Sequence, residues 1–338
     1  MNTRTITLQA DATTRLDTLL QSTLASLVGR DISNSKIRRL IMAGAVSVSG
    51  SPRRIPAFNV HKGSRISVVI DEAKLFYEKD AGDISYELTA RDVLYEDDAI
   101  IVVNKPALFP TEAGMVESRD NLHAAVVRYL WRAVPQAPHP PYAGIMHRLD
   151  RETSGVILFT KQRAANAACH TMFESHTAQK IYYAVCCVQS TARATAAART
   201  GAADATTRPS LVAGAHFSVD MPMARISGKS QAAKWGRAPL SQGALASHTD
   251  FTVLSVAQGK NGARYALIEA RPTTGRTHQI RVHLSSVALP ILGDRLYGGK
   301  TAARIHLHAH SLTFPHPLTG VEMTVTAPLS WAPALPTP

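Results

Sequence analysis

The chain has 338 residues, 45% of them hydrophobic and 18% charged, with a formal net charge of +12. That length suits about two domains, and such an apolar share can fill cores of ordinary size. Three cysteines (Cys169, Cys186 and Cys187) with no C-x-x-C pair exclude a disulfide framework and point to a reducing compartment. No apolar run reaches the ~18 residues of a membrane helix. The opening "MNTRTITLQADATTRLD" lacks the apolar centre of a signal peptide. The expectation is a soluble, cytoplasmic protein with no membrane partner. Its positive balance favours an anionic partner, nucleic acid first.

Residues 1–70 read as a small independent unit. Thr5 to Gln9 alternates as a strand. Ala12 to Leu27 sets Leu16, Leu19, Leu20, Leu24 and Leu27 at helical spacing. A second helix over Ser35 to Gly44 presents Ile37, Leu40 and Ile41, with Ser33 or Asn34 to cap it and Gly44 to stop it. "AVSVSG" and "GSRISVVI" follow as strands. Between Ser33 and Arg65 stand seven basic residues (Lys36, Arg38, Arg39, Arg53, Arg54, Lys62 and Arg65) and no acidic one. A solvated face normally mixes both signs; a one-sign stripe with basic loops suits a phosphate backbone. Lys36, Arg38, Arg39, Arg53 and Arg54 are the RNA-binding candidates.

Residues 71–90 reverse the charge and read as a linker. A larger region covers 91–330, followed by a tail at 331–338. Ile100 to Val103 is a short buried strand stopped by Asn104-Lys105-Pro106, and Asn121 to Val134 is a helix ended by the prolines from Pro135 to Pro141. "GIMHRLD" and "GVILFTK" read as two strands about a turn. "RAANAACHTMFESHTAQ" (163–179) is a helix, and "KIYYAVCCV" a strand. The stretch 190–246 contains a flexible insertion, centred on 190–210, where 13 of 21 residues are Ala or Thr. "HTDFTVLSVA" and "ARYALIEARP" form a strand pair turned at Lys260-Asn261-Gly262. A helix opens at "TGRTHQIRVHLSS", and strands recur in "RIHLHAHSLTF" and "VEMTVTAPL". Short strands with few helices and no regular βαβ alternation predict an α+β fold on a mixed, largely antiparallel sheet, preceded by a small α/β domain.

Chemistry concentrates at "HRLDRETSG" (His147 to Gly155), with five ionisable side chains in six residues beside the apolar run "VILF". This segment resembles the second motif of the RluA-type RNA pseudouridine synthases. "LYEDDAIIVVNKP", "KIYYAV", "TGRTHQIRVHL", "LPILGDRLYGG" and "LHAHSLTFPHPLTG" resemble further stretches of that family, in family order. Residues 14–70 resemble the small RNA-binding domain first named from a ribosomal protein of the small subunit.

The resemblance implies isomerisation of uridine without a cofactor. The base is detached, turned and rejoined through carbon. It implies that Asp150 is the catalytic aspartate, acting either on the glycosyl centre, as in retaining glycoside hydrolysis, or on a sugar proton. It implies that Arg281 pairs with Asp150, that Tyr182 packs on the flipped uracil and handles a proton, and that Arg148 fills or braces the vacated stack. Lys105, Thr153, Arg276 and His278 are further substrate-binding candidates by position in these motifs. Tyr183, on the opposite strand face, reads as the core tyrosine. Arg151 and Glu152 read as exposed turn residues. Thr153, Ser154 and Gly155 should shape the bend, with Gly155 at positive φ.

His306, His308 and His310 alternate and would share one strand face, which raises a metal-dependent hydrolase as a competing reading. No carboxylate or cysteine lies nearby in sequence, and no metal is expected. A non-catalytic ribosome-assembly factor is a second competitor, disfavoured because Asp150, Tyr182 and Arg281 are all present. Two departures touch substrate-facing loops: Leu108 stands where the family has glycine, and "SNSK" replaces the usual Ser-Arg opening of the second helix. The expected partner is ribosomal RNA of the large subunit, with tRNA as the alternative.

Overall fold

The computed structural model describes residues 3–75, 85–113, 120–189, 209–227, 233–259 and 262–329. The chain divides into two compact units, the second beginning at Tyr86.

In the smaller unit, β1 (Thr3–Gln9), α1 (Leu16–Val28), α2 (Asn34–Met42), β2 (Val46–Val48), β3 (Ser51–Arg53) and β4 (Arg65–Asp71) form a four-stranded sheet ordered β1-β4-β2-β3 under two helices. The apolar stripes predicted for the helices face one core, except that Leu27, at the end of α1, is exposed. Leu16, Leu20, Leu24, Ile37, Leu40 and Ile41 meet Ile66, Val68 and Ile70, the inward set of β4. Each such fully buried side chain contributes about 1.5–3 kcal/mol. Ser33 caps α2, its hydroxyl accepting from the Lys36 N–H at 3.4 Å. The expected first helix starts four residues late because Thr14–Arg15 pairs in extended form with Asn59–Val60.

The larger unit is built on one sheet. Its strands are β5 (Val93–Glu96), β6 (Ile100–Lys105), β7 (Ser154–Thr160), β8 (Gln179–Cys187), β9 (His216–Asp220), β12 (His248–Gln258), β13 (Arg264–Pro272), β14 (Leu307–Pro315) and β15 (Glu322–Thr326). A separate pair, β10 (Met223–Arg225) and β11 (Trp235–Arg237), forms a hairpin. The sheet runs β9-β12-β13-β8-β14-β7-β6-β5, with β15 beside β14. Its named pairs are antiparallel apart from β7 and β14. Helices α3 (Leu122–Ala133), α4 (Asn166–Glu174) and α5 (Gln279–Ser286) cover the sheet. Strands β6 and β7 are buried on both faces, so they read as continuous apolar runs. Ile101, Val103, Ile157 and Phe159 pack with Leu122 and Val126 of α3. Ile100, Val102, Val156 and Leu158 pack on the other face with Cys169 and Met172 of α4.

The parallel join of β7 and β14 is the tightest point. Gly155 lies opposite Ala309 at φ +116°, and a Cβ there would stand 2.1 Å from the Ala309 carbonyl oxygen. Only glycine fits, for reasons of both conformation and space.

Several expected elements are corrected. Within the stretch read as a linker, Leu88 is fully buried and Tyr86 packs beside it in the core of the larger unit. "GIMHRLD" is a strand only at Gly144–Ile145. Its next residues use side chains for main-chain partners. The Leu149 N–H donates to Thr111 Oγ1 at 3.3 Å, and His147 Nε2 accepts from the Leu158 N–H at 3.0 Å. The helix expected over 163–179 ends at Glu174, and Gln179 already belongs to β8. The helix expected from Thr274 opens at Gln279, because Gln279 Oε1 accepts from both the Thr274 hydroxyl and the Arg276 N–H and His278 sits at φ +58°. The core of the expected insertion (190–208), most of the 260–262 turn and the tail at 331–338 lie outside the described residues. The rest of 209–246 supplies β9 to the sheet and the β10–β11 hairpin. Among the described residues no helix is long and apolar enough to cross a membrane.

Candidate active site

A cavity of about 480 Å³ opens where the irregular segment 146–150, β8 and the start of α5 converge. Arg148, Asp150, Thr153, Tyr182, Arg276, His278 and Arg281 all line it. The sheet explains the convergence. Gly155 pins the end of 146–154 against β14, and the turn is closed by the Thr153 N–H donating to the Asp150 carbonyl at 3.1 Å.

The Asp150 carboxylate faces Arg281, with Nη1 to Oδ2 at 3.4 Å across 131 residues of chain. That contact is not the main bond of Arg281. The guanidinium forks onto Asp294, with Nε to Oδ2 at 2.7 Å and Nη2 to Oδ1 at 3.0 Å, and both side chains are nearly inaccessible. Arg281 also lies 3.7 Å from Glu152. Glu152 is therefore half-buried beside the guanidinium, not the exposed turn residue expected. Desolvation alone would lower the pKa of Arg281, but the hydrogen bond and charge of Asp294, with Asp150 and Glu152, outweigh it and raise it. The cation is permanent, and most of its directional bonding belongs to Asp294.

Tyr182 lies between two apolar clusters and on the cavity wall. Burial, reinforced by the Asp150 charge, pushes its hydroxyl well up, so it remains a phenol at neutral pH. Tyr183 points to the other sheet face and stacks on His310 at 4.4 Å between centroids. Both tyrosines are half-buried, but Tyr182, not Tyr183, is the one packed against the apolar clusters. Lys180 shares the Tyr182 face, as a two-residue strand period requires, and its ammonium lines the cavity. Burial lowers its pKa. Arg148 is exposed at the rim. Arg276 Nε donates to the Ala246 carbonyl at 3.1 Å.

Lys105 is placed differently from the other candidates. It is wholly buried outside the cavity lining, and its ammonium donates to the carbonyls of Pro106 at 2.9 Å and Arg151 at 3.0 Å. Burial pushes its pKa down to about 7. It braces the Asp150 turn from behind. Leu108, at the family's glycine position, has φ +65°, and its carbonyl accepts from Arg151 Nε at 3.1 Å. The chain keeps the left-handed backbone there without the residue that adopts it freely.

His147 is not an ionic member of "HRLDRETSG". Its half-buried ring serves the β7 main chain, and desolvation with nearby Lys180 pushes its pKa down to about 3. The His306–His310 row is also dispersed. His306 Nδ1 lies 3.1 Å from the Arg304 carbonyl, His308 Nδ1 2.8 Å from Ser154 Oγ, and His310 Nδ1 3.2 Å from the Ala327 carbonyl. Among the described residues no three His, Cys, Asp or Glu side chains gather as metal ligands. Ser154, expected to serve the turn backbone, instead bonds His308 and Arg304. Asp294 and Tyr297 were not singled out in the sequence, although both sit in "GDRLYGG". Their signal was an acid and an aromatic in a glycine-rich loop.

In the smaller unit, Arg38 and Arg54 are exposed, while Lys36, Arg39 and Arg53 are half-buried. The Arg53 guanidinium lies 4.5 Å from the centroid of the Phe58 ring. Lys36 borders a shallow depression with Gln21 and Asp31.

A carboxylate facing a buried arginine and a phenol share one cavity on this mixed sheet, and comparison with known proteins places the fold among RNA-modifying enzymes. Residues 99–286 match the RNA pseudouridylate synthase family, and residues 14–66 match the S4 domain. The chain is 31% identical to the ribosomal large subunit pseudouridine synthase D of Vibrio parahaemolyticus, over 88% of this chain and 84% of that one. It is 29% identical to the protein of the same name from Pasteurella multocida, over 96% and 92%. The solved structure of human RNA pseudouridylate synthase domain containing 4 shares the fold, with a TM-score of 0.50 and 24% identity over 71% of this chain and 88% of that one. The chain belongs to the RNA pseudouridylate synthase family, in its RluA-type branch, and is an isomerase acting on RNA.

Proposed function

We propose that this enzyme isomerises uridine in large-subunit ribosomal RNA, with Asp150 as the reacting carboxylate. The observation that carries the role of Asp150 is its position: a carboxylate on the cavity wall, 3.4 Å from a buried, permanently charged arginine. The names of the relatives above support the RNA class. The uridine must leave its stack to reach a carboxylate at this depth. Arg148, at the rim, takes the vacated place. Tyr182 offers a ring face to the uracil and a phenolic proton beside Asp150. Lys180, about 7 Å along the same strand face, supplies a cation for the phosphate of the flipped nucleotide. Arg276 and His278 border the sugar side, and Thr153 and Lys105 hold the turn. The basic stripe Lys36, Arg38, Arg39, Arg53 and Arg54 adds salt-sensitive affinity for the RNA backbone.

The test is Asp150→Asn. Tritium release from 5-labelled uridine in RNA should vanish while RNA retention on a filter stays within about three-fold. Pseudouridine mapping in cells with and without the protein decides the target. Loss of sites in large-subunit RNA supports the reading, whereas loss confined to tRNA would replace it with the tRNA alternative.

A further inference from the structure

His278 closes one side of the cavity in a left-handed conformation, φ +58°. Its Nε2 points at Asp150, 3.9 Å from Oδ2, and its Nδ1 lies 2.8 Å from the Tyr297 hydroxyl. The same hydroxyl accepts a main-chain N–H, from Trp235 at 3.0 Å. Trp235 begins β11 of the hairpin, within the stretch where the sequence suggested a loose insertion. The Tyr297 ring is buried, edge-on to the imidazole at 83°, with the Arg281 guanidinium 5.2 Å from its centroid.

These contacts leave little choice of proton positions. A main-chain N–H can only donate, so Trp235 occupies an acceptor site of the Tyr297 oxygen. The one hydrogen of the phenol then needs an acceptor of its own. Among the described residues the imidazole Nδ1 is the group in range. Nδ1 must therefore be bare, and a neutral ring then carries its hydrogen on Nε2, facing Asp150. Burial lowers the His278 pKa against the opposing charge of Asp150, which agrees with a neutral ring. Tyr297 has its own hydroxyl pushed up to about 12 by burial, so it keeps that hydrogen.

We propose that His278 is a positioning residue locked by Tyr297 as the Nε2–H tautomer, and that it gives this N–H to the Asp150 carboxylate when RNA closes the site. The relay Trp235 N–H, Tyr297 O–H, His278 Nε2–H ends on the same Oδ2 that Arg281 touches. Arg281 spends its fork on Asp294 and offers Asp150 a single long contact. A neutral donor on the other side fixes the carboxylate in direction without adding a second full charge. A gap of 3.9 Å is short enough to close as substrate seats, since such bonds commonly tighten only in the complex. The hairpin β10–β11 acquires a purpose: one of its main-chain N–H groups anchors the relay.

This inference rests on Asp150 being the reacting carboxylate, but its first test does not. Nitrogen-15 NMR of the full chain, with His278 assigned by its loss in His278→Gln, should show Nε2 protonated and Nδ1 bare at pH 7. A protonated Nδ1 in the wild type overturns the proposal. In Tyr297→Phe the lock is gone, so the two tautomers should mix. Single-turnover isomerisation should then fall about ten-fold, the rate equivalent of one ordinary hydrogen bond, with RNA affinity within two-fold. Rescue separates a hydrogen-bond role from bulk packing. His278→Gln places an amide N–H near Nε2 and should retain more activity than His278→Asn, whose amide lies near Nδ1. Equal or reversed activities, or a Tyr297→Phe enzyme at the wild-type rate, overturn it. Isomerisation surviving in Asp150→Asn would instead remove the underlying reading of Asp150, while the tautomer measurement would still stand or fall separately.

Discussion

Replacing Asp294 with asparagine removes one charge from a site that nothing else can fill. Asp294 is fully buried and Arg281 is 4% exposed, so solvent screening is slight. Two charges about 4 Å apart attract by about 4 kcal/mol at an effective dielectric near 20, and breaking a buried pair costs ~3–5 kcal/mol. Asp150 at 3.4 Å and Glu152 at 3.7 Å still face the same guanidinium and offset part of the loss. The expected cost is therefore at the lower end, about 3 kcal/mol. At ~2–4 °C per kcal/mol for a unit of this size, the melting temperature of the larger unit should fall by ~6–12 °C. Freed from its fork, Arg281 should also turn toward Asp150 and Glu152, so kcat should fall in the surviving folded enzyme. Scanning calorimetry resolves the transition of the larger unit, and single-turnover tritium release gives the rate. A shift below about 2 °C with an unchanged rate would refute the idea that Asp294 holds Arg281 in place.

Gly155→Ala should be among the most damaging small substitutions, because its Cβ would stand 2.1 Å from the Ala309 carbonyl oxygen at φ +116°. A loss of ~3 kcal/mol or more is expected by urea titration. A near-neutral result would mean that the β7–β14 join is looser than described. Lys105 yields a pH prediction. Its folded pKa of about 7 lies below its unfolded value near 10.5, so between those values the unfolded chain binds the extra proton and stability rises with pH. Melts of wild type and Lys105→Met should therefore diverge in favour of wild type from pH 7 toward pH 10. Parallel curves would show that the buried ammonium is not desolvated. Lys180→Met should raise KM about ten-fold and lower the magnitude of the salt slope of RNA binding by about one ion, with Lys180→Arg largely restoring both. A pure kcat defect would place Lys180 at the chemistry and not at a phosphate.

Elements with a strong local period were legible. The leucine stripe of α1 from Leu16 to Leu24, the Ile37, Leu40 and Ile41 face of α2 and the alternation of β4 all meet in one core. The segment after Ile145 was not legible as a non-strand. Its partners are the Thr111 hydroxyl, 38 residues earlier, and the His147 ring reaching across to Leu158. Local composition carries no signal for such bonds. The same limit applies to Leu88, whose burial depends on α3 and β6 arriving over it. At the site, residues within family motifs were legible as candidates, but their division of labour was not. Lys105 and Asp150 look equally functional in a sequence. One is sealed behind the turn and the other lines the cavity.

By itself, the sequence determined the class of fold, the basic character of the small unit, the family, and the pairing of Asp150 with Arg281 as a contact to look for. These follow from periodicity, charge and motif, which are properties of neighbours along the chain. Tertiary structure alone decided that Arg281 gives its fork to Asp294, that His147 is a neutral structural ring, and that a hairpin in the expected insertion bonds the Tyr297 hydroxyl that also meets His278. The physical reason is common to all three. Hydrogen-bond geometry and desolvation depend on which groups the sheet brings within about 3 Å, and the chain order of those groups does not encode that distance.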